Sequence, residues 1–235
     1  MFTQRQYIRF MLKHRMLLFL VVSCLLIVLF PFTQEHLYIP TFIVEILYNT
    51  FIVIAIYLIS QRKQIVAVSV LISLMAITLI GSDKWLHSRP ILLTGLVIEI
   101  ILFWLATVLI IRHVMRYKKV TEDKIYGAIS AYLLIGISWA LIYTCVEIYD
   151  PQSFQFNSGF LIQNRMISTH RFYFSQFLYF SFVTISTLGY GDIVPLSPLA
   201  RLCASLECVV GQLYVAVLIA RLVGIHISHT SGKHH

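Results

Sequence analysis

Apolar residues form long runs along the chain, and short polar segments separate these runs. Six runs span 17–32, 42–59, 65–80, 91–111, 125–148 and 199–223. A helix crosses a bilayer with roughly 17 to 25 predominantly apolar residues, and most of the runs reach that length, although the first and third are a little short. A transmembrane β-barrel would instead alternate over segments of about 10 residues. The pattern therefore predicts an all-α integral membrane protein with six transmembrane helices.

Composition leads to the same class of protein. Hydrophobic residues make up 59% of the chain and charged residues 12%, whereas about a quarter of the residues in a soluble domain are charged. The mean hydropathy is +0.84. A soluble globular domain is therefore excluded.

Basic residues indicate the orientation, because the cytoplasmic loops of membrane proteins are enriched in Lys and Arg. If both termini are cytoplasmic, thirteen of the eighteen Lys and Arg residues lie on the inner side. These are Arg5, Arg9, Lys13, Arg15, Arg62, Lys63, Arg112, Arg116, Lys118, Lys119, Lys124, Arg221 and Lys233. Contact with lipid headgroups accounts for the net charge of +8, so no nucleic-acid partner is predicted. We expect a multi-pass protein of the cell membrane, with the bacterial inner membrane as the suspected location.

The basic linker between the fourth and fifth runs divides the chain. The predicted parts are a four-helix membrane module at 1–111, the linker at 112–124, a pore domain at 125–225 and a short cytoplasmic tail at 226–235. Thr121 is the expected N-cap of the fifth helix, because Glu122 and Asp123 follow it in the first turn. Asp150, which precedes a proline, is expected to end that helix. The polar residues 152–171 that follow are expected to form an irregular outer turret.

A glycine-rich segment between the last two runs carries the most specific signal. It consists of Thr187, Leu188, Gly189, Tyr190, Gly191 and Asp192. Non-helical backbone at membrane depth is tolerated only where protein buries it or where it lines a water-filled cavity. The two glycines permit dihedral angles that residues with a Cβ avoid, so successive carbonyl oxygens can point to one side. A row of carbonyl oxygens is a binding site for cations.

This motif resembles the filter of the tetrameric potassium-channel family. Thr184 precedes it by three positions, an aromatic stretch leads into it, and an apolar helix follows it. The resemblance covers residues 172–224 and implies a re-entrant pore helix and a selectivity filter between the fifth and sixth transmembrane helices. The family usually has Val where Leu188 stands, a change that leaves the carbonyl groups in place.

The resemblance also implies a role for each residue of the motif. The ion-binding residues would be Thr187, Leu188, Gly189, Tyr190 and Gly191, with K⁺ held by the carbonyls of the first four and by the threonine hydroxyl. Asp192 would lie at the outer mouth. One filter strand cannot encircle an ion, so a homotetramer around a single axis is expected. Passive conduction requires no cofactor, and K⁺ is the permeant ion.

Several positions depart from the family pattern or leave two interpretations open. Val183 stands where an acidic partner of the filter aspartate often occurs, and Tyr179 and Phe180 stand where some members have a tryptophan pair, so the indole N–H donor is missing. Gly211 aligns with the hinge glycine of the inner helix, although a glycine there also permits close helix packing. Glu207 stands where inward-rectifier-like relatives have a glutamate, and it either braces the pore helix or faces the cavity.

The fourth run lacks the gating charges of a voltage sensor. It contains no Arg or Lys between 91 and 111, and its only charged residue is Glu99. Voltage sensing depends on several embedded cations, each of which contributes about 2.3 kcal/mol per 100 mV, so gating by voltage should be weak. Glu99 is either a neutral carboxyl that bonds a neighbouring helix or, with Glu45 as a candidate partner, a sensor of pH or of a cation.

Three classes of function are compatible with these features. They are a K⁺-selective channel, a poorly selective or non-conducting channel-like subunit, and a membrane enzyme or transporter. Transporters with related pore loops usually carry four degenerate repeats in one chain, and this chain has a single loop. No constellation of His, Cys and carboxylate residues has the spacing of an active site. The sequence therefore predicts a channel that conducts K⁺ passively and is not an enzyme.

Overall fold

The computed structural model of the chain describes residues 15–35, 41–60, 62–86, 88–115, 121–156 and 170–231. Within these residues there are seven helices and two short strands. In chain order they are α1 (Arg15–Glu35), α2 (Thr41–Ile59), α3 (Lys63–Leu86), α4 (Arg89–Met115), α5 (Glu122–Tyr149), β1 (Phe154–Phe156), α6 (His170–Ile185), β2 (Ile193–Pro195) and α7 (Pro198–Ser231). The predicted helical architecture is confirmed.

The apolar runs correspond to helices α1 to α5 and α7, and the predicted pore helix is α6. Four helices are long and apolar enough to cross a membrane, namely α3, α4, α5 and α7. The third run was expected to be short, but its helix qualifies over Lys63–Ser82. Among the described residues, the apolar stretches of α1 and α2 are shorter, at Arg15–Val28 and Ile46–Ile59. The count of six transmembrane helices therefore stays a prediction.

Helix α5 lies at the centre of the chain and packs against α1, α4, α6 and α7. Of its membrane-spanning stretch, 72% is buried, whereas only 11% is buried in α7. Burial of small residues such as Ala131 and Ala140 lets the neighbouring helices approach α5 closely. Helix α7 thus leaves most of its apolar surface without cover from its own chain.

The ends of four helices meet at one end of the molecule. Arg15 Nη1 donates to the Leu58 carbonyl at 2.8 Å, and its Nη2 lies 3.2 Å from His113 Nε2. The backbone N–H of Met16, which has no acceptor within its own first turn, donates to Asp123 Oδ1 at 3.2 Å. The start of α1, the ends of α2 and α4 and the start of α5 are thus fastened together. Helices that cross the molecule in alternating directions produce this arrangement.

The bounds of two helices test the sequence predictions directly. Helix α5 begins after Thr121, as predicted, although the Thr121 side chain makes no capping hydrogen bond. Asp150 follows its last residue, also as predicted. Helix α7 continues to Ser231, so part of the predicted tail at 226–235 is helical. No proline follows Pro198 to interrupt the helix.

A short antiparallel sheet lies in a region that was expected to be irregular. β1 pairs with β2 in the register Phe154 to Pro195 and Phe156 to Ile193. Residues 157–169, which belong to the predicted outer turret, lie outside the described residues. The sheet connects the end of α5 to the segment that follows the glycine-rich motif.

Candidate ion pathway

The glycine-rich motif is anchored on the last turn of α6. The backbone N–H of Thr187 donates to the Thr184 carbonyl at 2.9 Å, and the N–H of Leu188 donates to the Val183 carbonyl at 2.9 Å. The N–H of Gly189 contacts the same carbonyl at 3.4 Å. The carbonyl end of a helix carries a partial negative charge of about half an elementary charge. The motif therefore begins in a place that favours a cation.

The backbone of the motif alternates in handedness. Thr187, Gly189 and Gly191 have φ values of +61°, +61° and +78°, while Leu188 and Tyr190 between them stay outside the positive-φ region. Alternation of this kind turns successive carbonyl oxygens toward one side. Positive φ is unusual for a β-branched residue such as threonine and costs roughly 1–3 kcal/mol. Backbone strain of this kind is common at functional sites.

The motif is exposed in the single chain. Leu188 and Tyr190 expose 56% and 66% of their surface, although both side chains are large and mainly apolar. Tyr190 stacks on Tyr179 of α6, with ring centres 6.4 Å apart and ring planes 5° apart. Only one face of the Tyr190 ring is covered in this way, so further protein is needed to enclose the motif.

Tyr179 also lies near the outer end of the motif. It interacts electrostatically with Asp192, and Asp192 Oδ1 accepts the N–H of Ile193 at 3.1 Å. A tyrosine hydroxyl can donate one hydrogen, as an indole N–H does. The position of the missing tryptophan is thus occupied by an aromatic residue that carries a hydroxyl donor.

A carboxyl group holds the outer strand that supports the motif. Glu147, near the end of α5, is 6% exposed, and its two oxygens accept the backbone N–H groups of Gln152 at 3.0 Å and Phe154 at 3.1 Å. Phe154 begins β1, which pairs with β2 directly after Asp192. Sequence reasoning missed Glu147. The only signal was a carboxyl group near the end of an apolar run.

Glu207 lies where α5, α6 and α7 meet. Its side chain is 0% exposed, the Tyr143 hydroxyl donates to its Oε2, and Ser181 Oγ lies 2.5 Å from its Oε1. Ser181 Oγ is also 2.7 Å from the Gly136 carbonyl oxygen. Gly136 permits this approach, because a Cβ there would lie 2.8 Å from the Phe182 ring. The geometry corresponds to a brace, and the sequence analysis did not identify Tyr143 or Ser181.

Gly211 packs against the last residue of α6. A Cβ added to Gly211 would lie 2.5 Å from Ile185 Cγ1 and 2.9 Å from the Ile185 carbonyl oxygen. Helix α7 runs through this position without interruption from Pro198 to Ser231. These contacts correspond to close helix packing, and a role as a hinge stays a hypothesis.

Glu99 belongs to the four-helix module. It is 7% exposed, and Asn49 Nδ2 of α2 donates to its Oε1 at 3.4 Å. The structure thus brings Glu99 against a neighbouring helix, while the side chain of Glu45 lies outside the described residues. An amide partner is compatible with a neutral carboxyl.

Comparisons with known proteins agree with the location of the motif. Residues 137–226 match a family described as "Ion channel", and this segment runs from within α5 into α7. Over 101 residues the chain is 29% identical to the "Inward rectifier potassium channel Kirbac3.1" of Paramagnetospirillum magnetotacticum. The match covers 42% of this chain and 34% of that protein, so the chain spans about a third of its length. No solved structure matches the chain.

An ion-channel domain and helices that can cross a bilayer define a membrane protein of the ion-channel class. The domain and the similarity to an inward rectifier support a potassium-channel family, so the resemblance that the motif indicated is confirmed.

Proposed function

We propose that the chain forms a potassium-selective channel that conducts K⁺ passively through a homotetrameric pore. The observation that carries the proposal is the alternating backbone of Thr187, Gly189 and Gly191, with φ values of +61°, +61° and +78°. It is the conformation that a row of carbonyl oxygens facing one ion path requires. In this proposal α6 is the re-entrant pore helix and Asp192 lies at the outer mouth.

The unpartnered surface of α7 supports assembly with further copies of the same chain. Five apolar side chains at spacings of three or four residues lie on one face of this helix and are 47–59% exposed. They are Leu202, Leu206, Val209, Leu213 and Val217. The exposed filter residues also need cover, and four equivalent strands around one axis provide it. We expect a mass about four times 27.1 kDa in nanodiscs, and a conducting dimer would contradict this arrangement.

The fastened helix ends support the orientation. The ends that meet around Arg15 and Asp123 are those that the distribution of basic residues assigns to the cytoplasm. We therefore propose six transmembrane helices with both termini cytoplasmic. The four-helix module, which lacks gating charges, serves as a scaffold for the pore or responds to a stimulus other than voltage.

Reconstitution into planar bilayers tests selectivity. Under opposed gradients of K⁺ and Na⁺, the reversal potential should lie close to the equilibrium potential of K⁺. A reversal potential near zero would indicate a poorly selective pore, and tetramers without any current would indicate a non-conducting subunit.

A matched pair of glycine variants tests the filter itself. Gly189→Ala places a Cβ at φ +61°, which costs about 1–2 kcal/mol in each subunit, and it should abolish K⁺ current. Gly81→Ala is the control, because Gly81 lies in α3 outside the positive-φ region and no described atom lies within 4 Å of the added Cβ. Its current should equal that of the unmodified protein. Equal currents from both variants would overturn the assignment of the filter.

A further inference from the structure

One turn of α7 is fastened to the last turn of α6 at two points, directly before the filter. At one point Ser181 contacts Glu207, and at the other Ile185 meets Gly211. The two residues of each helix are four positions apart and thus lie on one face. Since the filter begins two residues after Ile185, any shift of α7 at this turn reaches the filter through α6.

The hydrogen atoms available at the contact between Ser181 and Glu207 can be counted. Ser181 Oγ carries one hydrogen but has two oxygen neighbours, the Gly136 carbonyl at 2.7 Å and Glu207 Oε1 at 2.5 Å. The carbonyl can only accept, so Ser181 donates there. The second contact is then a hydrogen bond only if Oε1 carries a hydrogen and donates it to Ser181. The Tyr143 hydroxyl donates to Oε2, which completes a network without an unused donor.

The surroundings of Glu207 also favour the neutral acid. Its titratable neighbours among the described residues are Tyr132, Tyr143 and Cys203, and none of these can supply a positive charge. A buried carboxylate without a cation is costly. Because Glu207 is already 0% exposed within one chain, a neighbouring subunit cannot reach it to compensate the charge.

We propose that Glu207 is a positioning residue of the filter that acts as a neutral, hydrogen-donating acid. It donates to Ser181 of α6, accepts from Tyr143 of α5, and thereby fixes α7 against both helices. The filter keeps its spacing because α6 cannot move relative to α7. This inference depends on the proposed channel function only for the conduction measurement described below.

Substitution by glutamine separates the neutral acid from the carboxylate. A glutamine amide donates through its NH₂ group and accepts through its oxygen, so Glu207→Gln should keep both bonds and the permeability ratio of K⁺ over Na⁺. Glu207→Ala leaves the hydroxyls of Ser181 and Tyr143 without this partner, and the ratio should fall by about tenfold. If Glu207→Ala does not assemble, Tyr143→Phe removes one bond and should lower the ratio by a smaller factor. A loss of selectivity in Glu207→Gln as large as that in Glu207→Ala would overturn the proposal.

An infrared measurement does not depend on conduction. The difference spectrum between the unmodified protein and Glu207→Gln, taken at neutral pH, should contain the carbonyl stretch of a protonated carboxyl group. Carboxylate bands in its place would show that Glu207 is ionised and would refute the inference, even if the channel selects K⁺. A protonated band in a protein that fails to conduct would support the neutral acid and would count against the proposed function alone.

Discussion

Replacement of Gly211 by alanine distinguishes close packing from a hinge. The new Cβ would lie 2.5 Å from Ile185 Cγ1 and 2.9 Å from the Ile185 carbonyl oxygen. A side chain can rotate away, but the carbonyl belongs to the last turn of α6 and cannot move without displacing the helix that carries the filter. We therefore expect Gly211→Ala to shift α6 and to disturb the filter.

Two opposing contributions determine how much stability Gly211→Ala should lose. Insertion of a methyl group into a packed region typically costs about 1–3 kcal/mol, whereas alanine in a helix interior is favoured over glycine by about 1 kcal/mol. Because a backbone atom is involved, the upper part of the first range applies. The net loss is then about 2 kcal/mol per subunit, and it is repeated in every subunit of the assembly.

Thermal dissociation of the purified tetramer and the reversal potential measure the two effects. Gly211→Ala should dissociate at a lower temperature and select K⁺ less well. Gly81→Ala, which gains helix propensity without a contact within 4 Å among the described residues, should be as stable as the unmodified protein or slightly more stable. Ile185→Ala leaves a cavity and lowers stability by itself, but it removes the nearer clash while leaving the carbonyl. The double variant should therefore lose less stability than the sum of the two single variants.

A hinge gives the opposite result. If Gly211 serves only to bend α7, alanine should stiffen that helix, raise the dissociation temperature as Gly81→Ala does, and change the open probability without a change in selectivity. That outcome would refute the packing argument.

Four further predictions concern the outer strand, the membrane module, voltage and external pH. Glu147→Ala should leave the N–H of Phe154 without an acceptor and destabilise the protein by about 1–3 kcal/mol. Glu147→Gln keeps one acceptor oxygen and should lose less stability. Equal thermal stability of the unmodified protein and both variants would contradict the role of this carboxyl. Gly95→Ala would place a Cβ 2.8 Å from Ile80 Cγ1 and should lower thermal stability without changing the reversal potential, and an altered ion selectivity would show that the module shapes the filter. Open probability should vary little over roughly ±100 mV, and a steep voltage dependence would contradict this expectation. Glu99→Gln should leave the response to external pH unchanged if this carboxyl is neutral. Single-channel recording measures both quantities.

The helices and the unusual backbone of the glycine-rich motif could be predicted because their signals are local. A run of apolar residues indicates its own helix, and the alternation of Gly189 and Gly191 with larger residues indicates an unusual backbone by itself. The left-handed conformation of Thr187 could not be predicted in this way, because a β-branched residue avoids it. The backbone N–H groups of Thr187 and Leu188 donate to carbonyl oxygens of α6, and these hydrogen bonds hold Thr187 in that conformation.

The supports of the filter could not be predicted because their partners are distant in sequence. In the sequence Glu147 is one carboxyl among several. Its partners, the N–H groups of Gln152 and Phe154, come within reach only because the chain turns after α5 to form β1. The same holds for Tyr143 and Ser181, whose spacing from Glu207 in the sequence carries no periodic signal. Such contacts depend on which helices become neighbours, and hydrophobic patterns do not specify that choice.

The order of the residues around Glu207 has a consequence for biosynthesis. A ribosome releases the chain from its N-terminus, so Tyr143 and Ser181 enter the membrane before Glu207 does. The acid thus arrives where an acceptor and a donor are already present, and it need not cross the bilayer core without partners. A chain truncated before α7 would instead leave the hydroxyl of Tyr143 without its carboxyl partner, and an unsatisfied polar group at membrane depth is costly.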